Sequence, residues 1–204
     1  MRMLLLAPPG AGKGTQGARL AEHFGVRHIA AGELFREHIS RQSELGRAAK
    51  AYVDRGELVP DSLVLDLIMP VVVAATAEGG YVLDGFPRTM PQALAAAELG
   101  LRLGVRFHAV VYLDVAEDEL VRRLRRRARE QGRADDTADV IRHRLRVFGE
   151  KTRPLIEYYR SRGILVSVDG DQPVEEVTSD ILRALSALPD ADHGPESDGG
   201  REQG

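Results

Sequence analysis

A chain of 204 residues fits one domain carrying small insertions and is long enough to bury a core. With 43% hydrophobic and 29% charged residues it has the balance of a soluble globular protein, and no segment approaches the roughly 18 apolar residues a spanning helix needs. The absence of cysteine excludes disulfides and a thiolate zinc site, and a net charge of −3 argues against a nucleic-acid binder, which carries a basic excess.

The apolar start MRMLLLA meets glycines without a signal-cleavage pattern, so a cytoplasmic protein is expected. Residues 3–6 are apolar and are stopped by Pro8, Pro9 and Gly10, which predicts a buried parallel strand ending at a glycine-rich turn. A helix should follow over residues 15–24, where Ala18, Leu20, Ala21 and Phe24 recur at helical spacing and Gly25 terminates.

Between that strand and that helix stand Gly10, Ala11, Gly12, Lys13, Gly14 and Thr15. This context predicts a phosphate-binding loop. Glycines let backbone N–H groups turn toward phosphate oxygens, the helix amino terminus adds positive potential, and Lys13 supplies a mobile charge for the β and γ phosphates. Thr15 offers a hydroxyl near the phosphates or the metal's water shell. The usual loop begins with glycine, whereas this one begins with Ala7. An alanine fits if φ is negative there or if the loop relaxes.

A second strand is expected over residues 26–30. Residues 32–59 are polar and helical, with Leu34, Phe35 and Ile39 on one face and Gly46 and Gly56 as breaks, and they read as a helical insertion. Tyr81, Val82 and Leu83 form a third strand that delivers Asp84 at its carboxyl end, where ligands of such sheets collect. Beside a phosphate loop, that carboxylate suits the waters of a bound Mg²⁺. Arg88 follows, with a planar fork suited to bidentate phosphate contacts, and Gln92 lies one turn further on.

Strands at residues 109–113 and 164–168 are separated by a long helical region rich in arginine. Most of Arg122, Arg123, Arg125, Arg126, Arg127 and Arg129 read as a solvated face, and no aromatic residues interleave as they would on an RNA surface. Arg133, Asp135, Asp136 and Arg144 recur where a helix begins, and the two carboxylates favour its positive end. Strands alternating with helices predict an α/β fold of the P-loop NTPase type, a five-stranded parallel sheet flanked by helices. Residues 189–204 contain almost nothing apolar and read as a disordered tail.

The stretches PPGAGKGTQ, AGELFR, GELVPD, LDGFPRT, GRADD and PLIEYYR, in this order, resemble the adenylate kinase family over residues 1–188. The resemblance implies a single kinase domain over that span, acting on ATP and AMP as a monomer, with Mg²⁺ and without zinc. It matches Lys13, Arg36, Arg88, Arg133 and Arg144 to the cations that clamp two phosphate chains, with Arg127 among the catalytic arginines. Arg123 and Arg127 match positions flanking the ATP adenine and lid, and Gln92 matches the glutamine that reads the AMP base. Val59 and Gln172 match positions whose backbone lines the two adenine sites, and Ala31 and Gly85 fall in the acceptor site.

Residues 30–59 would be the monophosphate-binding flap. Only five residues, 128–132, separate Arg127 from Arg133, where long-lid relatives insert dozens, so residues 127–133 should form a short lid loop. Closure of flap and lid would exclude water that competes for the phosphoryl group. No catalytic base is required, because the acceptor phosphate already carries negative charge. The resemblance leaves other readings open: Ala31 stands where adenylate kinases typically carry threonine, and AGEL resembles the uridylate and cytidylate kinases. A pyrimidine or relaxed-specificity kinase, a kinase of a specialised phosphate or phosphonate acceptor, and a nucleotide-binding module without catalysis are therefore alternatives.

Overall fold

The computed structural model describes residues 1–131 and 137–188. Arg133, Asp135, Asp136 and the segment 189–204, all singled out from the sequence, lie outside the described residues.

Five parallel strands form one sheet: β1 (Arg2–Leu6), β2 (Arg27–Ala30), β3 (Tyr81–Asp84), β4 (Ala109–Asp114) and β5 (Leu165–Asp169), in the order β2-β3-β1-β4-β5. Leu5 pairs with Asp84 on one side of β1 and with Val111 on the other, so β1 sits in the middle of the sheet. The winding reverses beside β1, and its carboxyl end is therefore the topological switch point at which such sheets bind ligands.

Alternation along β1 splits the core between two faces. Met3 and Leu5 pack with Leu20 of α1 (Lys13–Phe24) and with Val177 and Ile181 of α9 (Val174–Ser186). Leu4 and Leu6 face Phe148 together with Leu155, Ile156 and Tyr159 of α8 (Pro154–Arg160). A third cluster joins Ile29 and Leu83 to Val64, Leu67, Ile68 and Val72 of α4 (Asp61–Ala77).

The expected helical insertion is a pair of helices, α2 (Ala31–Ser40) and α3 (Glu44–Arg55). Their turn places Gln42 at φ 52°, and the Ser43 hydroxyl caps α3 by accepting from Gly46 N. α4 carries Pro70 within it and is apolar nearly all round. Helix α5 (Met90–Leu103) follows β3, α6 (Glu117–Gln131) carries the arginine run, and α7 (Ala138–Val147) begins after Thr137, whose hydroxyl accepts from Val140 N. A π-helical turn, Phe148–Thr152, links α7 to α8, a wide turn of the kind often found beside functional sites.

No helix among the described residues is long and apolar enough to cross a membrane.

Candidate active site

The glycine-rich loop lies where predicted, between β1 and α1. The helix begins at Lys13, two residues earlier than the apolar periodicity suggested, so the lysine belongs to its first turn. Gly10 takes φ 88°, and a Cβ there would stand 2.8 Å from Leu124 Cγ of α6. Glycine thus allows both the turn and the close approach of loop to helix. Ala7 does not need that freedom, because Gln42 alone among the described non-glycine residues has positive φ.

Lys13 Nζ donates to the carbonyls of Ala7 at 2.9 Å and Pro8 at 3.1 Å, which folds the side chain back over its own loop. Burial lowers its pKa from the ordinary 10.5 to about 8; Asp84 opposes that shift, while Arg88, Arg144 and Arg127 add to it. Burial likewise lowers the pKa of Arg88, with Asp84 opposing and Arg36 adding. Lys13, Arg88, Arg127 and Arg144 thus gather as cations near Asp84, a field that favours a polyanion.

Asp84 stands at the end of β3, next to β1. Among the described residues no group of three or more His, Asp or Glu could cage a metal. A lone strand-end carboxylate beside a phosphate loop nonetheless suits Mg²⁺, which keeps several waters and takes few protein ligands besides phosphate oxygens.

Arg88 is held from three directions. Its Nε donates to the Gly85 carbonyl at 2.7 Å, its backbone N–H donates to Gln92 Oε1 at 2.8 Å, and its carbonyl accepts from Thr152 Oγ1 at 2.8 Å. Gly85 has φ 87°, and a Cβ there would lie 3.1 Å from Arg88 Nη2, so this glycine also makes room for the guanidinium.

Two adjoining pockets contain every other predicted site residue that is described. The larger cleft, about 1820 Å³, is lined by Gly10, Ala11, Gly12, Lys13, Gly14, Thr15, Asp84, Arg123, Arg127 and Gln172. A pocket of about 610 Å³ under α2 and α3 is lined by Ala31, Val59 and Gln92 together with Phe35, Val53 and Val64. Arg36, Gly85, Arg88 and Arg144 line both, so three arginines mark the junction. Arg123 pairs with Glu119 at 2.5 Å and approaches Asp171 at 3.6 Å, which ties α6 to the loop after β5. Gln172 Nε2 donates to the Asp169 carbonyl at 2.9 Å, and this bond holds that loop in shape.

Sequence reasoning overlooked several neighbours of these residues, Arg126, Glu130, Asp61 and Thr152 among them. Arg126 and Glu130 also line the large cleft, and the spacing of Arg123, Arg126 and Arg127 on one helix could have revealed Arg126. Asp61 accepts from Gln92 Nε2 at 2.7 Å, and Thr152 reaches Arg88 from the π-helical turn; neither contact has a signature in the sequence.

The chain resembles known adenylate kinases along most of its length. The family model described as "Adenylate kinase" matches residues 5–164. An adenylate kinase of Rhodococcus erythropolis is 49% identical over 188 residues, 92% of this chain and 99% of the relative. One of Kocuria rhizophila is 48% identical over 184 residues, 90% of this chain and 98% of the relative, and adenylate kinase 1 of a Nostoc species is 46% identical over 186 residues, 91% and 99%. Phosphate loop, strand-end carboxylate, clustered arginines and this similarity along the chain lead to one conclusion: the chain belongs to the adenylate kinase family.

Proposed function

We propose that this enzyme, an ATP-dependent nucleoside monophosphate kinase, transfers the γ-phosphoryl group of MgATP reversibly to AMP, giving two ADP. The observation that carries this reading is the junction of the two pockets, where Arg36, Arg88 and Arg144 line both and Lys13 and Asp84 stand close by. ATP occupies the larger cleft with its phosphates on the loop Gly10–Thr15 and its base toward Arg123 and Gln172. AMP occupies the smaller pocket, its base beside Ala31, Val59 and Gln92 and its phosphate at the arginines.

An oxygen of the AMP phosphate attacks Pγ as the bond from Pγ to the bridging oxygen of ADP breaks. The attacking oxygen already bears charge, so no side chain need remove a proton; the work of the protein is alignment and charge neutralisation. Lys13 and Arg88 meet the charge on the moving phosphoryl group, with Arg127 and Arg144 around it. Asp84 would hold Mg²⁺ through water, and the ion would supply positive charge to offset that of the phosphates.

Residues 1–188 act as one kinase domain, with residues 30–59 as the flap over AMP and residues 127–133 as a short lid over ATP. Their closure excludes water. The expected setting is a cytoplasmic monomer.

A coupled assay of the purified protein with MgATP against AMP, CMP, UMP, GMP and their deoxy forms tests the reading. AMP should be the best acceptor, and Arg88→Ala should lower kcat by at least about 10²-fold in a folded protein. If another monophosphate exceeds AMP in kcat/KM, or none is phosphorylated, the assignment falls.

A further inference from the structure

Gln92 is 2% exposed and lines the smaller pocket, yet both ends of its amide are already engaged. Oε1 accepts from Arg88 N–H at 2.8 Å, and Nε2 donates to Asp61 Oδ1 at 2.7 Å. A backbone N–H can only donate and a carboxylate can only accept. Rotating the amide by half a turn would set two donors against each other at Arg88 and two acceptors at Asp61. The amide is therefore fixed in one of its two orientations.

Each end keeps one valence, a lone pair on Oε1 and an N–H on Nε2, with no partner for either among the described residues. In the fixed orientation these form an ordered pair, acceptor beside donor. Its complement is a base edge with an amino group next to an unprotonated ring nitrogen, as in adenine N6/N1 or cytosine N4/N3. An edge with an oxo group next to a ring N–H, as in hypoxanthine, guanine or uracil, has the opposite order. A freely turning glutamine would suit either edge.

We propose that Asp61 is a positioning residue for acceptor specificity: by accepting from Gln92 it holds the amide in the orientation that selects amino-bearing bases over their oxo counterparts. This rests on the reading of the smaller pocket as the AMP site. Asp61 is exposed at the start of α4, so water competes for its carboxylate. Its share of the selectivity is accordingly about tenfold, with Arg88 N–H supplying the rest.

AMP and IMP differ only at this edge, and their kcat/KM ratio measures the effect. The wild type should prefer AMP by at least about 10²-fold. Asp61→Asn preserves size and hydrogen bonding, but its amide can turn together with that of Gln92. The ratio should fall about tenfold, with kcat/KM for IMP rising in absolute terms and the KM for ATP unchanged. Asp61→Leu, which lacks any acceptor, should lower the ratio similarly. A residue that merely supports the fold would lose AMP activity without gaining IMP activity.

If the wild type uses AMP and IMP alike, or if folded Asp61→Asn and Asp61→Leu keep the wild-type ratio, the role of Asp61 is overturned while the kinase reading stands. If the wild type phosphorylates no monophosphate, both fall.

Discussion

The hydroxyl of Thr152 donates to the carbonyl of Arg88 at 2.8 Å across 64 positions of the chain, joining the π-helical turn to the arginine at the junction of the two pockets. Thr152 is 5% exposed, so its loss would leave a partly buried carbonyl without this partner. Thr152→Val keeps the shape and removes the bond. It should cost about 1–2 kcal/mol, a fall in Tm of about 3–6 °C, and lower kcat about tenfold as Arg88 loses its fixed position. Thr152→Ser should restore most of both. Thermal melts with steady-state kinetics decide the matter, and a valine variant with normal kcat would show that Arg88 is positioned without Thr152.

Lys13 sets a pH dependence. Its pKa in the folded protein, about 8, lies below the ordinary 10.5 because burial disfavours the charge. The unfolded chain therefore binds more protons between these values, and stability rises as pH climbs from about 8 toward 10.5, while the cost is fully present below about 8. Nucleotide phosphates favour the charged lysine, so ATP binding near pH 8.5–9 should take up close to one proton, and affinity should weaken as pH rises beyond about 8. Calorimetry in buffers of different ionisation heat measures the uptake. Lys13→Met should abolish it and lower kcat by at least about 10²-fold. Equal binding heats in all buffers for the wild type would refute the linkage.

Ala7 stands where phosphate loops usually carry glycine, but its φ is ordinary and its methyl lies in the core at 5% exposure. Ala7→Gly should therefore loosen the fold rather than relieve the loop. Added freedom in the unfolded chain costs about 0.5–1 kcal/mol and the buried methyl roughly 0.8 more, giving a Tm lower by about 3–6 °C with ATP affinity unchanged. Tighter ATP binding without loss of Tm would mean that alanine strains the loop.

The parts legible in the sequence are those that chain order brings together. Residues 3–6 are apolar and end in Pro8, Pro9 and Gly10, so strand, turn and helix could be read as one unit. The carboxylate of Asp84 could be placed because a strand end is a fixed location in a parallel sheet. α4 was not anticipated: it is apolar nearly all round and contains Pro70, so neither a stripe nor an unbroken helical pattern marks it. Asp61 and Thr152 were missed for a different reason. A carboxylate at a helix start has a sufficient local explanation in the helix dipole, and a π-helical turn has no composition of its own. Their partners, Gln92 and Arg88, lie 31 and 64 positions away, and only the packed fold reveals those bonds.

Ala31 gives the clearest test of acceptor choice. It is 2% exposed, begins α2 and lines the pocket with Phe35, Val53, Val59 and Val64, so with AMP bound as proposed Gln92 would carry most of the polar discrimination of the base on that wall. Threonine in its place would add one hydroxyl facing the base, worth about 0.5–1.5 kcal/mol, or roughly a factor of ten in selectivity. The wild type should thus favour AMP yet use CMP or UMP detectably, with CMP ahead because it shares the amino edge. Ala31→Thr should widen the gap between AMP and CMP about tenfold in kcat/KM. The new hydroxyl needs a partner when the pocket is empty, so the unliganded variant should melt no higher than wild type, and AMP should raise its Tm more than it raises that of the wild type. Kinetics over the acceptor panel and melts with and without AMP measure both effects. An unchanged AMP-to-CMP ratio, or a ratio that falls, would mean that the side chain at position 31 does not face the base.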